Sequence, residues 1–254
     1  MGLITDHDGA ADGYEAVQLP PDQVIAAGLS AAMLRRRSAR PSRRAVLYLH
    51  CMSDSFVPED LASWYTERGF HFYVADLRLK GQPDRPAGGK RKVKGLRACF
   101  SGLDSACSYL RTADGIDAVI LGAHGAGALA AALWCHERRE TSPADALILS
   151  SPEFGRRLRR GLDVACPVLV ISAAGEPGDP PGAVGRTGKG TRDKKGNDAV
   201  RLGAHVTWLR IADGLAGGGP SGGGSSGDDR RRFFDEMGRW LGAYMYGKAR
   251  DQLL

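Results

Sequence analysis

The sequence predicts an α/β fold, a mostly parallel sheet with helices on both faces. Three observations predict it. Short apolar segments of strand length alternate along the chain with longer segments of helical periodicity, an order that calls for parallel strands joined by crossover helices. Residues 117–134, DAVILGAHGAGALAAALW, run from an apolar strand through a sharp Gly-rich turn into an Ala-rich helix. The chain has 254 residues, 43% of them hydrophobic and 25% charged, enough for one sizeable core with an ordinary globular balance. All of residues 1–254 are therefore expected to form a single domain.

The elements follow in order. Residues 14–19 and 24–36 read as an opening antiparallel strand pair. AVLYLH at 45–50 is a strand of the fully buried type. Residues 59–68 are helical and stop at Gly69, which can take the left-handed C-cap conformation. FHFYVAD at 70–76 is the next strand. It closes on Asp76, where a topological switch point is expected. Residues 93–110 have helical spacing. Residues 118–122 form a strand that ends at Gly122, and 126–139 the helix after the turn. Segments 146–150, 167–172 and 206–212 are further strands, and 229–246 is an amphipathic closing helix. Two stretches, about 175–197 and 214–228, are rich in Gly, Pro, Ser and Lys. They cannot bury enough apolar surface to offset the entropy of ordering, so flexible loops are expected there. Both follow the carboxyl end of a strand, the edge where open α/β sheets build their sites.

Composition narrows the partners. The formal charge is +6, from 35 basic and 29 acidic residues. The basic runs at 35–37, 90–94 and 156–160 lie between elements and read as solvated surface, so no nucleic-acid partner is expected. The five cysteines are odd in number and show no CxxC or Cys/His spacing for a metal. They read as free thiols of a reducing cytoplasm. The amino terminus has no apolar core of a signal peptide, and no apolar run approaches the roughly 20 residues of a membrane span. Residues 175–190 lack the GxxxxGK[ST] pattern of a phosphate loop, and no GxGxxG follows the first strand. No cofactor is expected. A small molecule or a protein partner remains open, and so does a homo-oligomer.

The segments RRAVLYLHCMSDSF, WYTERGFHFYVADLRLKG, the strand–turn–helix at 117–134, DALILSSPEF, GLDVACPVLVIS and HVTWLRIADGL with RRFFDEMGRWL together resemble actinobacterial α/β-hydrolases of the serine aminopeptidase/lysophospholipase type. The resemblance spans most of the chain in the right order and implies the α/β-hydrolase fold. In that family the strand–turn–helix is the nucleophile elbow GHSxGG, with the catalytic Ser at its apex. Laid on the pattern, His124 falls on the His before the nucleophile and Gly125 on the Ser itself. Ala216 falls on the catalytic His, and the acid position near residues 172–174 falls on Ala174. The HG of the oxyanion loop becomes His50-Cys51. Where the family inserts a lid, only GRRLRRG remains between residues 154 and 162, so the lid domain is absent.

These departures belong together. A triad Ser is activated only by a His that a carboxylate orients, so loss of one member removes the use of the others. An elbow apex imposes strained dihedrals that Gly accepts at little cost, so Gly125 keeps the turn without the chemistry. The pocket is then outlined by His50, Cys51, Met52, His124, Gly125 and Ala126. His124 has two readings: an acid/base or ligand donor in the old pocket, or a packed imidazole bonded to neighbouring backbone. The family carries His here beside a working Ser, which favours the packed imidazole. His50 and Cys51 are adjacent on an extended segment and point to opposite sides, so they cannot form a dyad. Cys51 fills the place of a Gly. His71 and His205 read as structural and His136 as exposed, while Asp198 and Glu176 could be remnants of the acid. Three function classes follow. The leading one is a pseudo-hydrolase without a Ser-His-Asp triad that binds a small molecule or a partner. The alternative is a non-hydrolytic cyclase, lyase or isomerase using the inherited pocket, for example in a bacterial biosynthetic pathway. The third is a hydrolase with an unusual nucleophile. Fold does not decide among them.

Overall fold

The computed structural model describes residues 13–19, 32–50, 59–76, 96–141, 143–152, 162–173, 206–211 and 227–246. Eight strands form one sheet: β1 (Glu15–Gln18), β2 (Ala32–Arg36), β3 (Arg44–His50), β4 (His71–Asp76), β5 (Ala118–His124), β6 (Ala146–Ser150), β7 (Val168–Ala173) and β8 (Val206–Ile211). Their spatial order is β1-β2-β4-β3-β5-β6-β7-β8. β1 and β2 are antiparallel, and β2 pairs antiparallel with β4. All later pairings are parallel. The described helices are α1 (Glu59–Glu67), α2 (Phe100–Thr112), α3 (Gly125–Glu137) and α4 (Gly227–Leu241). A 3-10 turn at Arg97–Cys99 leads into α2, and a π turn at Gly242–Tyr246 follows α4. This is the α/β-hydrolase architecture expected from the sequence. Residues 24–31, the loop expected at about 175–197, residues 214–226 of the second loop and the short connection at 154–161 lie outside the described residues, while 227–228 of the second loop open α4.

Strand side chains alternate between two cores, as the period of a pleated strand requires. Ala45, Leu47, Leu49, Val119, Leu121, Leu147, Leu149, Val168 and Val170 face one core with buried residues of α2 and α3. Val46, Phe72, Val74, Ile120, Ile148, Leu169 and Ile171 face the other, with buried residues of α1 and α4. A parallel sheet covered on both faces has no solvated side, which is why β5 reads AVILGAH with its interior wholly buried.

Local chemistry explains the joints. Helix α1 ends where Gly69 takes φ +79. The Gly69 N–H donates to the Thr66 carbonyl at 3.2 Å and the Phe70 N–H to the Tyr65 carbonyl at 3.1 Å, a Schellman closure. Phe233, Met237, Trp240 and Leu241 give α4 one buried stripe. Phe234 stacks on Trp64 of α1 at 5.5 Å. The sequence reading stopped β5 at Gly122, but the strand continues to His124. Gly122 pairs with Tyr48 of β3, and a Cβ there would stand 3.1 Å from the Tyr48 ring. The glycine makes room for a neighbouring aromatic and does not end the strand.

The opening strand pair is fastened by a part-buried ion pair. Arg35 donates to both Asp114 carboxylate oxygens, at 2.7 and 2.8 Å, and the Tyr73 hydroxyl donates to the same carboxylate at 2.6 Å. Burial opposes ionisation of Asp114, but the Tyr73 and Arg35 bonds outweigh it and hold the carboxyl below its ordinary range. A depressed carboxyl stabilises the fold above its unfolded value of about 3.9, and that stability is lost as pH falls through the lower folded value. Asp114→Asn is expected to cost about 2 kcal/mol at pH 7, the scale of a charge-assisted hydrogen bond. Urea titrations should show this loss shrinking as pH falls below about 4, where the unfolded carboxyl begins to take up its proton, and vanishing only below the lower folded value. An equal loss at all pH values would assign the effect to shape.

Candidate functional site

Strand order locates the site. From β3 the chain goes to β4 on one side, then crosses back to β5 on the other side of β3. The direction of winding therefore reverses between β3 and β5, and ligands of open α/β sheets lie outside the carboxyl ends of the strands at such a point. The sequence leads one to expect the switch point at Asp76. The structure moves it one strand over, because β4 lies on the outer side of β3, with Asp76 in register with His50. At the switch point stand His50, ending β3, and His124, ending β5.

Beyond His124 no loop intervenes. His124 is extended, at φ −124° and ψ 150°, and is itself the N-cap of α3, without a side-chain capping hydrogen bond. The next residue, Gly125, has φ +54°, in the left-handed region where Gly is favoured. No heavy atom of the described residues comes within 4 Å of where a Gly125 Cβ would stand. The strand thus turns into a helix through one left-handed residue with open space above it. His124 and Gly125 are half-buried. Helix α3 begins at this turn, so its first N–H groups have no intrahelical acceptors and present the positive end of the helix dipole.

β6 runs beside this turn, with Ser150 in register with His124. Ser151 has φ +44° and is the one non-Gly residue with positive φ among the described residues. Its N–H donates to the Ile171 carbonyl at 2.7 Å, while its hydroxyl oxygen is buried without a hydrogen-bond partner. Ser151 is not among the site residues expected from sequence. Its signal was the Ser-Ser-Pro at the strand end, where Pro152 disfavours helical backbone at the residue before it. Ser172 of β7 is buried. Of the pocket residues expected from sequence, the structure brings His124 and Gly125 together at the turn, with the backbone of His50 at the switch point and that of Ala126 in the first turn of α3. Cys51, Met52, Ala174, Glu176, Asp198, His205 and Ala216 lie outside the described residues.

The other ionisable groups serve the fold. His71 begins β4, at the opposite edge of the sheet. The Ser38 backbone N–H donates to His71 Nδ1 at 3.1 Å, and Nε2 lies 3.0 Å from the Ser42 carbonyl. Nδ1 is therefore the acceptor, and Nε2 carries the proton and donates. The Ser38 hydroxyl donates to the Thr66 carbonyl at 2.9 Å and does not face the imidazole. Ser38 and His71 consequently form a brace and not a nucleophile–base pair. His136 accepts from the Asp163 N–H at 2.9 Å. Cys99, Cys107, Cys135 and Cys166 are buried thiols outside any disulfide. Burial pushes the Cys107 thiol up to about 12. A hydrogen bond with Cys166 and burial push the Cys135 thiol up as well. Both thiols are held in the unreactive protonated form. Among the described residues no group of three or more His, Cys, Asp or Glu could hold a metal ion, and no helix is long and apolar enough to cross a membrane.

The sequence profile of one family, described as serine aminopeptidase, S33, matches residues 40–173, the segment from β3 through β7. No curated protein matches the chain in sequence. Solved structures show the same fold at low identity. An esterase from Pyrococcus furiosus is 12% identical, with a TM-score of 0.55 over 91% of this chain and 93% of its own. An alpha-beta serine hydrolase homologue from Coxiella burnetii is 13% identical, with a TM-score of 0.51 over 80% of this chain and 88% of its own.

Proposed function

The chain belongs to the serine aminopeptidase S33 family, and from that membership we propose that it is a non-catalytic member, a pseudo-hydrolase that binds a small molecule or a partner at the inherited site. One observation carries the reading. The left-handed residue that opens α3 directly after β5 is Gly125, at the position where the family resemblance puts the nucleophilic Ser. Gly has no atom with which to attack a carbonyl. Ala174 and Ala216 at the acid and base positions of the sequence support the same conclusion. Without a base, even a restored hydroxyl would stay protonated and weakly nucleophilic. The short connection after β6 supports a pocket without a lid, open to a partner as well as to a small molecule.

The test uses p-nitrophenyl butyrate. Wild-type protein is expected to release nitrophenolate at the rate of buffer, with no burst. Saturable turnover abolished by Gly125→Asn, whose side chain tolerates left-handed backbone, would contradict the reading.

A cyclase, lyase or isomerase is the second reading, and the position of His124 favours it: a half-buried histidine at the switch point. If His124 only packs, His124→Ala is expected to cost about 1 kcal/mol of stability for a lost hydrogen bond and to leave ligand affinity unchanged. Calorimetry and thermal melts check both. A tenfold loss of affinity or turnover at unchanged melting temperature would move the assignment to the non-hydrolytic enzyme.

A further inference from the structure

Two thiols meet inside the core, away from the turn at Gly125. Cys135 lies in the last turn of α3, at the end of that helix opposite the turn. Cys166 lies in the segment 162–167, which is neither helix nor strand and leads into β7. Both belong to the core between the sheet and helices α2 and α3, and the two side chains are hydrogen-bonded to each other.

The chain holds this contact from both sides. Next to Cys135, His136 Nδ1 accepts from the Asp163 N–H at 2.9 Å, which ties the end of α3 to the start of the segment. Next to Cys166, the Pro167 carbonyl accepts from the Leu147 N–H at 2.9 Å, which ties the segment to β6. Pro167 also restricts Cys166 to extended backbone. Two sulfurs so held have already lost most of the freedom that a bond between them would remove.

We propose that Cys135 and Cys166 are an oxidative modification site, a dithiol that a hydroperoxide converts to a disulfide. The inference is independent of the non-catalytic reading. Cys166 reacts first. It keeps 7% of its surface against 4% for Cys135, and its segment can open locally without breaking a helix or a strand. With hydrogen peroxide, the Cys166 sulfur attacks one oxygen, the O–O bond breaks, and a sulfenic acid and one water result. The bond to Cys166 and burial keep Cys135 protonated, so it is the resolving thiol and not the one first oxidised. Its sulfur attacks the sulfenic sulfur, the S–O bond breaks, and the hydroxyl leaves with the Cys135 proton as a second water. Two thiols lose two electrons, and one peroxide is reduced to two waters. The disulfide closes the chain between residues 135 and 166 and fastens the end of α3 to the entry of β7.

The test exposes the native full-length protein to hydrogen peroxide and then blocks remaining thiols with N-ethylmaleimide in denaturant. Intact mass, a non-reduced peptide map and a thermal melt are read. Wild type is expected to keep three of its five thiols and to carry a Cys135–Cys166 link. It should melt about 5–10 °C above the reduced protein, because the link constrains the unfolded chain, and dithiothreitol should reverse the change. Cys135→Ala and Cys166→Ala are each expected to lose both link and shift, while Cys107→Ala keeps them. If the first two variants fold poorly, wild type decides alone. Five blocked thiols, a link between other cysteines, or sulfinic acid at Cys166 without a link overturns the proposal. So does a link that leaves the melting temperature unchanged or lowered, the sign of a bond made outside the native contact.

Discussion

Gly125→Ser is expected to hydrolyse p-nitrophenyl acetate no faster than buffer. The substitution supplies an oxygen at the turn, and a Cβ there meets no described heavy atom within 4 Å, so the hydroxyl has room. Positive φ makes Ser less comfortable than Gly by roughly 1–2 kcal/mol, which the fold can absorb. What the variant lacks is a base. In a triad the hydroxyl is active only with an imidazole in hydrogen-bond reach that a carboxylate orients. The family positions for those groups carry Ala216 and Ala174. His71 is occupied by Ser38 and Ser42 at the far edge of the sheet, and His136 by Asp163. His124 is the preceding residue on an extended strand, so its side chain leaves the opposite face of the chain from that of residue 125. Steady-state absorbance at 400 nm, a wavelength of roughly the nitrophenolate maximum, reads the outcome directly. Turnover well above buffer would mean that a base acts from the residues beyond the described structure.

Trp134→Ala is expected to have the largest effect on stability. Trp134 is fully buried in the core between the sheet and helices α2 and α3. Its indole N–H donates to Asp104 at 2.9 Å, and Arg138 donates to the same carboxylate at 3.1 and 2.8 Å. Removing the ring leaves a large cavity and takes away one of the Asp104 bonds, at a combined cost of about 3–5 kcal/mol. Chemical denaturation should show a lower midpoint with the slope unchanged. Trp134→Phe should recover most of the packing and lose the N–H bond, about 1 kcal/mol. A loss below that for Trp134→Ala would mean that α3, and the turn at its start, is held in place by something other than this core.

The fold was largely legible because it depends on periodicities that single residues cannot hide. Strand alternation and the stripe of α4 follow from where apolar residues recur, and Gly69 announced its own C-cap. The reading erred at Gly122, where a glycine interior to a strand looks like an end until the Tyr48 ring of the neighbouring strand is known. It also placed the switch point at β4, because strand order is a long-range property that local sequence does not encode. At the site, the turn at His124–Gly125 was legible because strand, apex and helix are contiguous in sequence. Ser151 was marked only by the Ser-Ser-Pro at a strand end, because its positive φ and unsatisfied hydroxyl leave no mark on composition. The neighbourhood of Gly125 and Ser151 draws on β5 and β6 at once, which only the register reveals.

The most direct measurement is the intact mass of the wild-type protein after incubation with a fluorophosphonate probe, which labels Ser activated by a base. With Gly125 at the turn, the protein is expected to keep its unmodified mass, and Gly125→Ser to keep its own as well. Stoichiometric addition of one probe to wild-type protein, mapped to any Ser and prevented by denaturation, would show an activated nucleophile and contradict the non-catalytic reading.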